Sequence, residues 1–136
     1  MLVVVDTNIL LSALRAGGSP PALIVDAWLA GRFELVTSLT QIDEFKRAAR
    51  YPKLLPYLPR GAVGRLVNGL RSAELLLKRL PSGIESPDPG DAYLIAMAIA
   101  SGADFLVTGD KALLLIRRIA ETKVISARRF ATLLAG

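Results

Sequence analysis

Apolar and polar positions along this 136-residue chain fall into blocks of two periods. Leu2–Val5 is a short unbroken apolar run rich in valine, the pattern of a strand buried on both faces. From about Ile9 the spacing becomes helical, until Gly17-Gly18 breaks it. Ser19 before Pro20 and Pro21 supplies an N-cap and first-turn prolines for a helix through Ala30, ended by Gly31. Phe33–Val36 predicts a second strand. Ser38 and Gln41 have capping-box spacing, which starts a helix running to about Arg50. Pro52, Pro56 and Pro59 forbid its continuation. Another helix is expected from Gly61 to about Ala73. Leu75–Leu80 fits either a third strand or the end of that helix.

The second half is more sharply punctuated. Asp88-Pro89-Gly90-Asp91 reads as an N-cap, a proline at the first helical position and an acid two residues on. The helix Ala92–Ala100 is apolar on every side, so it is expected to be buried, and Gly102 ends it. Asp104–Val107 predicts a strand, Thr108-Gly109-Asp110 a turn and Lys111–Arg118 a short helix. Lys123–Ile125 is expected as the last strand and Ser126–Leu134 as a closing helix. Strands alternating with helices predict an α/β fold, a parallel sheet with helices on both faces, forming a single domain over residues 1–136. Such sheets bind ligands at the carboxyl ends of their strands, near the topological switch point.

That rule sorts the 12 acidic residues. Asp6 ends the first strand, and Asp110 closes the turn after Phe105–Val107. Asp43 and Glu44 lie in the helix after the second strand, and Asp88 and Asp91 at the start of another helix. All belong to the carboxyl edge, whereas Glu34, Asp104 and Glu121 precede or begin strands and lie at the opposite edge. Carboxylates brought together raise one another's pKa unless a cation neutralises them, so a cluster suits a divalent metal. Each acid also has a plainer reading. Asp88 and Asp91 serve equally as a cap and a dipole partner, Asp110 as the N-cap of the short helix, and Glu44 as a partner of Arg47. Asp6 has the weakest such alternative, a cap on the following helix.

Composition narrows the chemistry. The chain has no Cys and no His, which removes thiol and imidazole catalysis and the usual nitrogen and sulfur metal ligands. What remains is carboxylates, hydroxyls, Lys and Arg, or a metal held by oxygen, which suits Mg²⁺ or Mn²⁺. The formal charge is +5, which favours an anionic partner. From Lys46 to Arg79 nine basic residues face one acid, Glu74. Alone that segment reads equally as a solvated helical face; beside an acidic metal site it becomes a phosphate-tracking surface, with Lys46, Arg47, Arg50 and Lys53 as its candidate contacts. No apolar run approaches the ~18 residues of a membrane span, and Asp6 interrupts what would be a signal-peptide core, so a cytoplasmic protein is expected.

VDTNIL at the first strand, SLTQIDEF leading into a helix, DPGDAYLIAMAIASGADFLVTGDKALL and a terminal KVISARRFATLL resemble the PIN-domain family. The likeness is to its bacterial VapC-like members, toxin components of type II toxin–antitoxin pairs. The resemblance covers essentially the whole chain, and the third block is its most specific part. It implies a three-layer α/β/α sandwich with a central parallel sheet in the order 3-2-1-4-5, and a metal-dependent ribonuclease selective for single-stranded RNA. The acidic centre carries over onto Asp6, Glu44, Asp91 and Asp110, with Asn8 and Thr108 in support. Asp6, Asp91 and Asp110 would hold Mg²⁺ or Mn²⁺, and Glu44 would ligate directly or through water. The implied reaction is hydrolysis by a metal-activated water, leaving 5′-phosphate and 3′-hydroxyl ends. Relatives often carry a further acid where this chain has Ala92, and another soon after the TGD-like turn, where it has Lys111 and Ala112.

The same resemblance implies a cognate antitoxin and a second copy of the chain as partners. Two other readings compete. One is a PIN-fold protein that binds RNA or an antitoxin with little turnover. The other is a phosphatase of the haloacid-dehalogenase type, which also places an Asp after strand one but wants a second Asp where this chain has Asn8.

Overall fold

The computed structural model describes all residues, 1–136. Six strands form one sheet: β1 (Leu2–Val5), β2 (Glu34–Ser38), β3 (Leu75–Leu77), β4 (Phe105–Val107), β5 (Arg118–Ile119) and β6 (Thr122–Ile125). Their order is β3-β2-β1-β4-β6-β5, all parallel except the β5–β6 pair. Seven helices cover it: α1 (Thr7–Arg15), α2 (Pro20–Leu29), α3 (Leu39–Ala49), α4 (Ala62–Arg71), α5 (Ala92–Ser101), α6 (Lys111–Ile116) and α7 (Ala127–Ala135). None is long and apolar enough to cross a membrane.

Side-chain alternation on the strands divides the core in two. Val3, Val5, Leu35, Val107 and Ile125 face a cluster filled by α1, α2, α3, α4 and α7, with Phe45 and Phe130 fully buried. Their neighbours Val4, Val36, Leu106 and Val124 face the opposite way, onto α5 and α6. A sheet buried on both faces needs apolar residues at consecutive positions, which is why β1 reads LVVV rather than alternating. The result is the α/β/α sandwich. Gly69 sits inside α4 for a packing reason: a Cβ there would meet the ring of Trp28 at 3.2 Å.

The differences from expectation have local causes. Leu75–Leu77 pairs with β2 and so is a strand, shorter than Leu75–Leu80. The expected helix Lys111–Arg118 stops at Ile116, because Arg117 takes a φ of 67° that no helix continues. Arg118 and Ile119 then fold back as an antiparallel edge strand, so the order 3-2-1-4-5 gains a sixth member. The expected fifth strand, now β6, stands where it was placed, beside β4. Pro89–Asp91 forms a 3₁₀ turn ahead of α5 rather than its first turn.

Candidate active site

β1 and β4 are adjacent, and the chain leaves β1 for β2 on its other side, so the switch point lies between them. Asp6 and Thr108 emerge there. The register pairs Val5 with Val107, and the Asp6 amide donates to Val107 O at 2.8 Å. Asp6 is 4% exposed. Its Oδ1 accepts from the Asn8 amide at 3.0 Å and its Oδ2 from the Thr108 hydroxyl at 2.7 Å. Thr108 Oγ1 in turn accepts from the Asp110 amide at 3.1 Å. One hydroxyl thus ties the first acid to the loop that carries the last. Asn8 contributes its backbone N–H to Asp6, and the residue itself lines the cleft outside.

Asp110 caps α6, accepting from the Ala112 and Leu113 amides at 2.8 and 3.2 Å. Those donors fix its direction and leave its second oxygen free of backbone bonds. Asp6, Asn8, Ser12, Gly109 and Asp110 line a shallow cleft of about 420 Å³. Asp91 occupies the N-cap position of α5 yet makes no capping bond, while Asp88 caps the preceding 3₁₀ turn by accepting from the Gly90 amide at 2.9 Å. Its carboxyl faces Asp110 instead.

The electrostatics follow from that crowding. Burial pushes the Asp6 carboxyl above its ordinary value against the pull of its Thr108 and Asn8 hydrogen bonds, and Asp110 adds to the rise. Asp91 is pushed up to about 6, first by burial, then by its side-chain interaction with Asp110 and by the negative charge of Asp6, Asp110 and Asp88. Asp110 is held below the ordinary value, chiefly by the Leu113 amide. The only ion pairs in the protein are Met1–Glu34 and Arg47–Glu44, so no cationic side chain reaches Asp6, Asp91 or Asp110.

Glu44 stands apart from the other three acids. Both its oxygens accept from the Arg47 guanidinium, one at 3.2 Å from Nε and the other in a short bond from Nη2. Arg47 is further fixed by the Tyr51 hydroxyl and ring. Of the expected RNA-binding residues, Arg47 is therefore locally occupied. Arg50 and Lys53 are exposed at the far end of α3, with Arg50 about 9 Å further from the carboxyl edge than Glu44 at 1.5 Å per residue. Lys46 is half-buried.

A buried polar chain behind Asp6 escaped sequence reasoning. Gln41 has the position of a capping-box residue, and its amide does donate to Ser38 Oγ at 3.0 Å. Its side chain does not turn back to the cap. It accepts from Thr37 Oγ1 and donates to Val5 O, each at 2.7 Å, with a longer bond to Thr7 Oγ1 at 3.4 Å. Thr7 Oγ1 and the Tyr93 hydroxyl then lie 2.7 Å apart, which joins β2, β1 and α5. Burial raises the Tyr93 pKa against the pull of its Thr7 hydrogen bond, and the negative charge of Asp6, Glu44 and Asp91 raises it further. The available signal was a tyrosine in an otherwise apolar helix, since a buried hydroxyl needs a partner.

A family model described as PIN domain matches residues 2–112. The chain belongs to the PIN-domain family. PIN domains are in general nucleases and typically use divalent metal ions. The matched span holds Asp6, Glu44, Asp91 and Asp110 and ends before the β5–β6 hairpin and α7. No curated protein and no solved structure matches the chain. The donor chemistry of this acidic group, oxygen-only and without a compensating cation, fits a hard divalent ion. The fit is one of charge and ligand type rather than a closed cage, since no three acidic side chains stand at metal-ligand spacing.

Proposed function

We propose that this PIN domain is a Mg²⁺- or Mn²⁺-dependent endoribonuclease that hydrolyses phosphodiester bonds of single-stranded RNA. The observation that carries the reading is the uncompensated carboxylate group Asp6, Asp91 and Asp110 at the switch point. A divalent cation bound there lowers the pKa of water and stabilises charge on a phosphoryl oxygen. The chain's own residues supply the rest. Thr108 and the Asn8 amide hold Asp6 in one direction, and the α6 amides hold Asp110. Asp91 keeps a proton until about pH 6 and must release it to act as a ligand. Glu44 joins this set only by leaving Arg47.

The proposal extends to a toxin of a type II pair acting in the cytoplasm, with a cognate antitoxin and a second copy of the chain as partners. Exposed Leu29, Leu115 and Leu133, at 66%, 78% and 56%, supply apolar surface for such contacts. The engagement of Glu44 by Arg47 favours one second reading, a catalytically weak PIN-fold protein that binds RNA or an antitoxin. Incubation with labelled single-stranded RNA and Mn²⁺ separates the two. Cleavage that stops with EDTA and is lost in Asp6→Asn supports the nuclease; binding without cleavage, or equal cleavage in the mutant, rejects it. The Asn variant keeps the fold, because the Thr108 hydroxyl can turn to accept from the new amide.

A further inference from the structure

We propose that a second cleft, between the end of α6, the β5–β6 hairpin and the first turn of α7, binds the phosphates of the RNA strand next to the acidic centre, through Arg117, Arg118 and Arg129. This rests on the nuclease reading and says where the substrate's backbone lies. The cleft encloses about 730 Å³, and its walls include Leu114, Arg117, Arg118, Lys123, Ser126 and Arg129. All four cations are exposed, and none is in an ion pair. Lys123 also borders a cleft with Asp104 and Glu121, so part of its charge is answered there; no acid stands among the residues that line the arginine cleft itself.

Position ties this cleft to the chemistry. Ser126 lines it, and the next residue, Ala127, lines the acidic cleft, so the first turn of α7 is a wall common to both. Leu114 lies one helical turn from Asp110, and its amide donates to Asp110 O at 3.0 Å. A polyanion is repelled by the acidic group itself, so its affinity has to come from cations beside that group. Guanidinium forks suit phosphate oxygens. In the Lys46–Lys53 segment, by contrast, Arg47 is already engaged by Glu44 and Lys46 is half-buried. The backbone adds an independent sign. Arg117 and Ala120 are the only non-glycine residues with positive φ, at 67° and 51°. Glycine would adopt the Arg117 conformation without strain, yet a long cationic side chain stands there, at the cleft wall.

The test measures binding of a short fluorescein-labelled polyuridylate RNA in EDTA across a range of salt. Full-length protein carrying Arg117→Gly, Arg118→Ala and Arg129→Ala is compared with wild type. The expected affinity loss is at least about tenfold, and the slope of log K against log salt shrinks by about 2, from three contacts at about 0.7 each. Arg117→Gly alone shrinks it by about 0.7 and leaves the melting temperature equal or higher, because its backbone strain is relieved. Wild-type affinity and slope in both variants overturn the proposal, as does a wild type that does not bind this RNA. Loss of binding on replacing Lys46, Arg50 and Lys53 by alanine, with the arginine variants unaffected, moves the strand to α3. A wild type that binds through the arginines but never cleaves with Mn²⁺ sinks the nuclease reading alone.

Discussion

The two edges of the sheet use the same residue type in opposite ways. At the amino edge, Glu34 pairs with the N-terminal ammonium at 3.1 Å, and Asp104 accepts the Leu2 amide at 2.8 Å. These two acids each have a positive or N–H partner and close a local gap in the fold. At the carboxyl edge, Asp6, Asp91 and Asp110 lie near one another with no cation, and two of them are pushed above the ordinary carboxylate range. Crowding like charges without a counter-charge costs stability, which is why the proposed centre is placed at this edge and not the other.

Substitutions at the two edges should therefore separate function from stability. The largest effect is expected on cleavage: Asp6→Asn should lower the Mn²⁺-dependent rate by about a thousandfold, several kcal/mol of lost charge stabilisation. Asp104→Ala should leave that rate within about twofold while costing about 1 kcal/mol in urea unfolding. Comparable rate losses at both edges would erase the distinction. Next in size is Thr108→Val, which strips Asp6 Oδ2 and the Asp110 amide of a shared partner. It should weaken Mn²⁺ affinity about 10- to 100-fold and destabilise by about 1–3 kcal/mol. Isothermal titration and denaturant unfolding read the two effects separately.

The smallest effect concerns pH. Asp91 stands at about 6 against an ordinary 3.8, so the folded state keeps a proton that the unfolded chain has lost. Stability of the cation-free protein should then fall as pH rises from about 4 to about 6 and level off above. Asp6, also raised, pulls the same way, whereas Asp110, lowered, acts only as pH falls below the ordinary carboxylate value. Asp91→Asn should flatten the decline between pH 4 and 6, as measured by urea midpoints; a slope unchanged by that substitution would mean that Asp91 carries no such proton.

Much of this was legible because its signals are local. An apolar run ending in Asp6, the caps at Ser19 and Ser38, and the 88–91 turn each declare an element within a few residues, and a parallel sheet then sorts the acids by edge. What escaped depends on tertiary partners. The capping-box template sends the Gln41 side chain back to its own cap, but the unpaired Val5 carbonyl across the sheet competes and wins. The β5 hairpin turns on positive φ at Arg117 and Ala120, where no glycine announces it. The arginine cleft gathers residues from a helix end, a hairpin and another helix, so no window of sequence displays it. Glu44 went the way of its local alternative, pairing with Arg47 at i,i+3.

Direct Mn²⁺ titration of the full chain, followed by the electron paramagnetic resonance of free ion, tests the central claim most simply. Wild type should bind Mn²⁺, Asp6→Asn and Asp91→Asn should bind it far more weakly, and Glu34→Gln and Asp104→Ala should match wild type. Equal binding by all five proteins would place the ion elsewhere and contradict the carboxyl-edge centre.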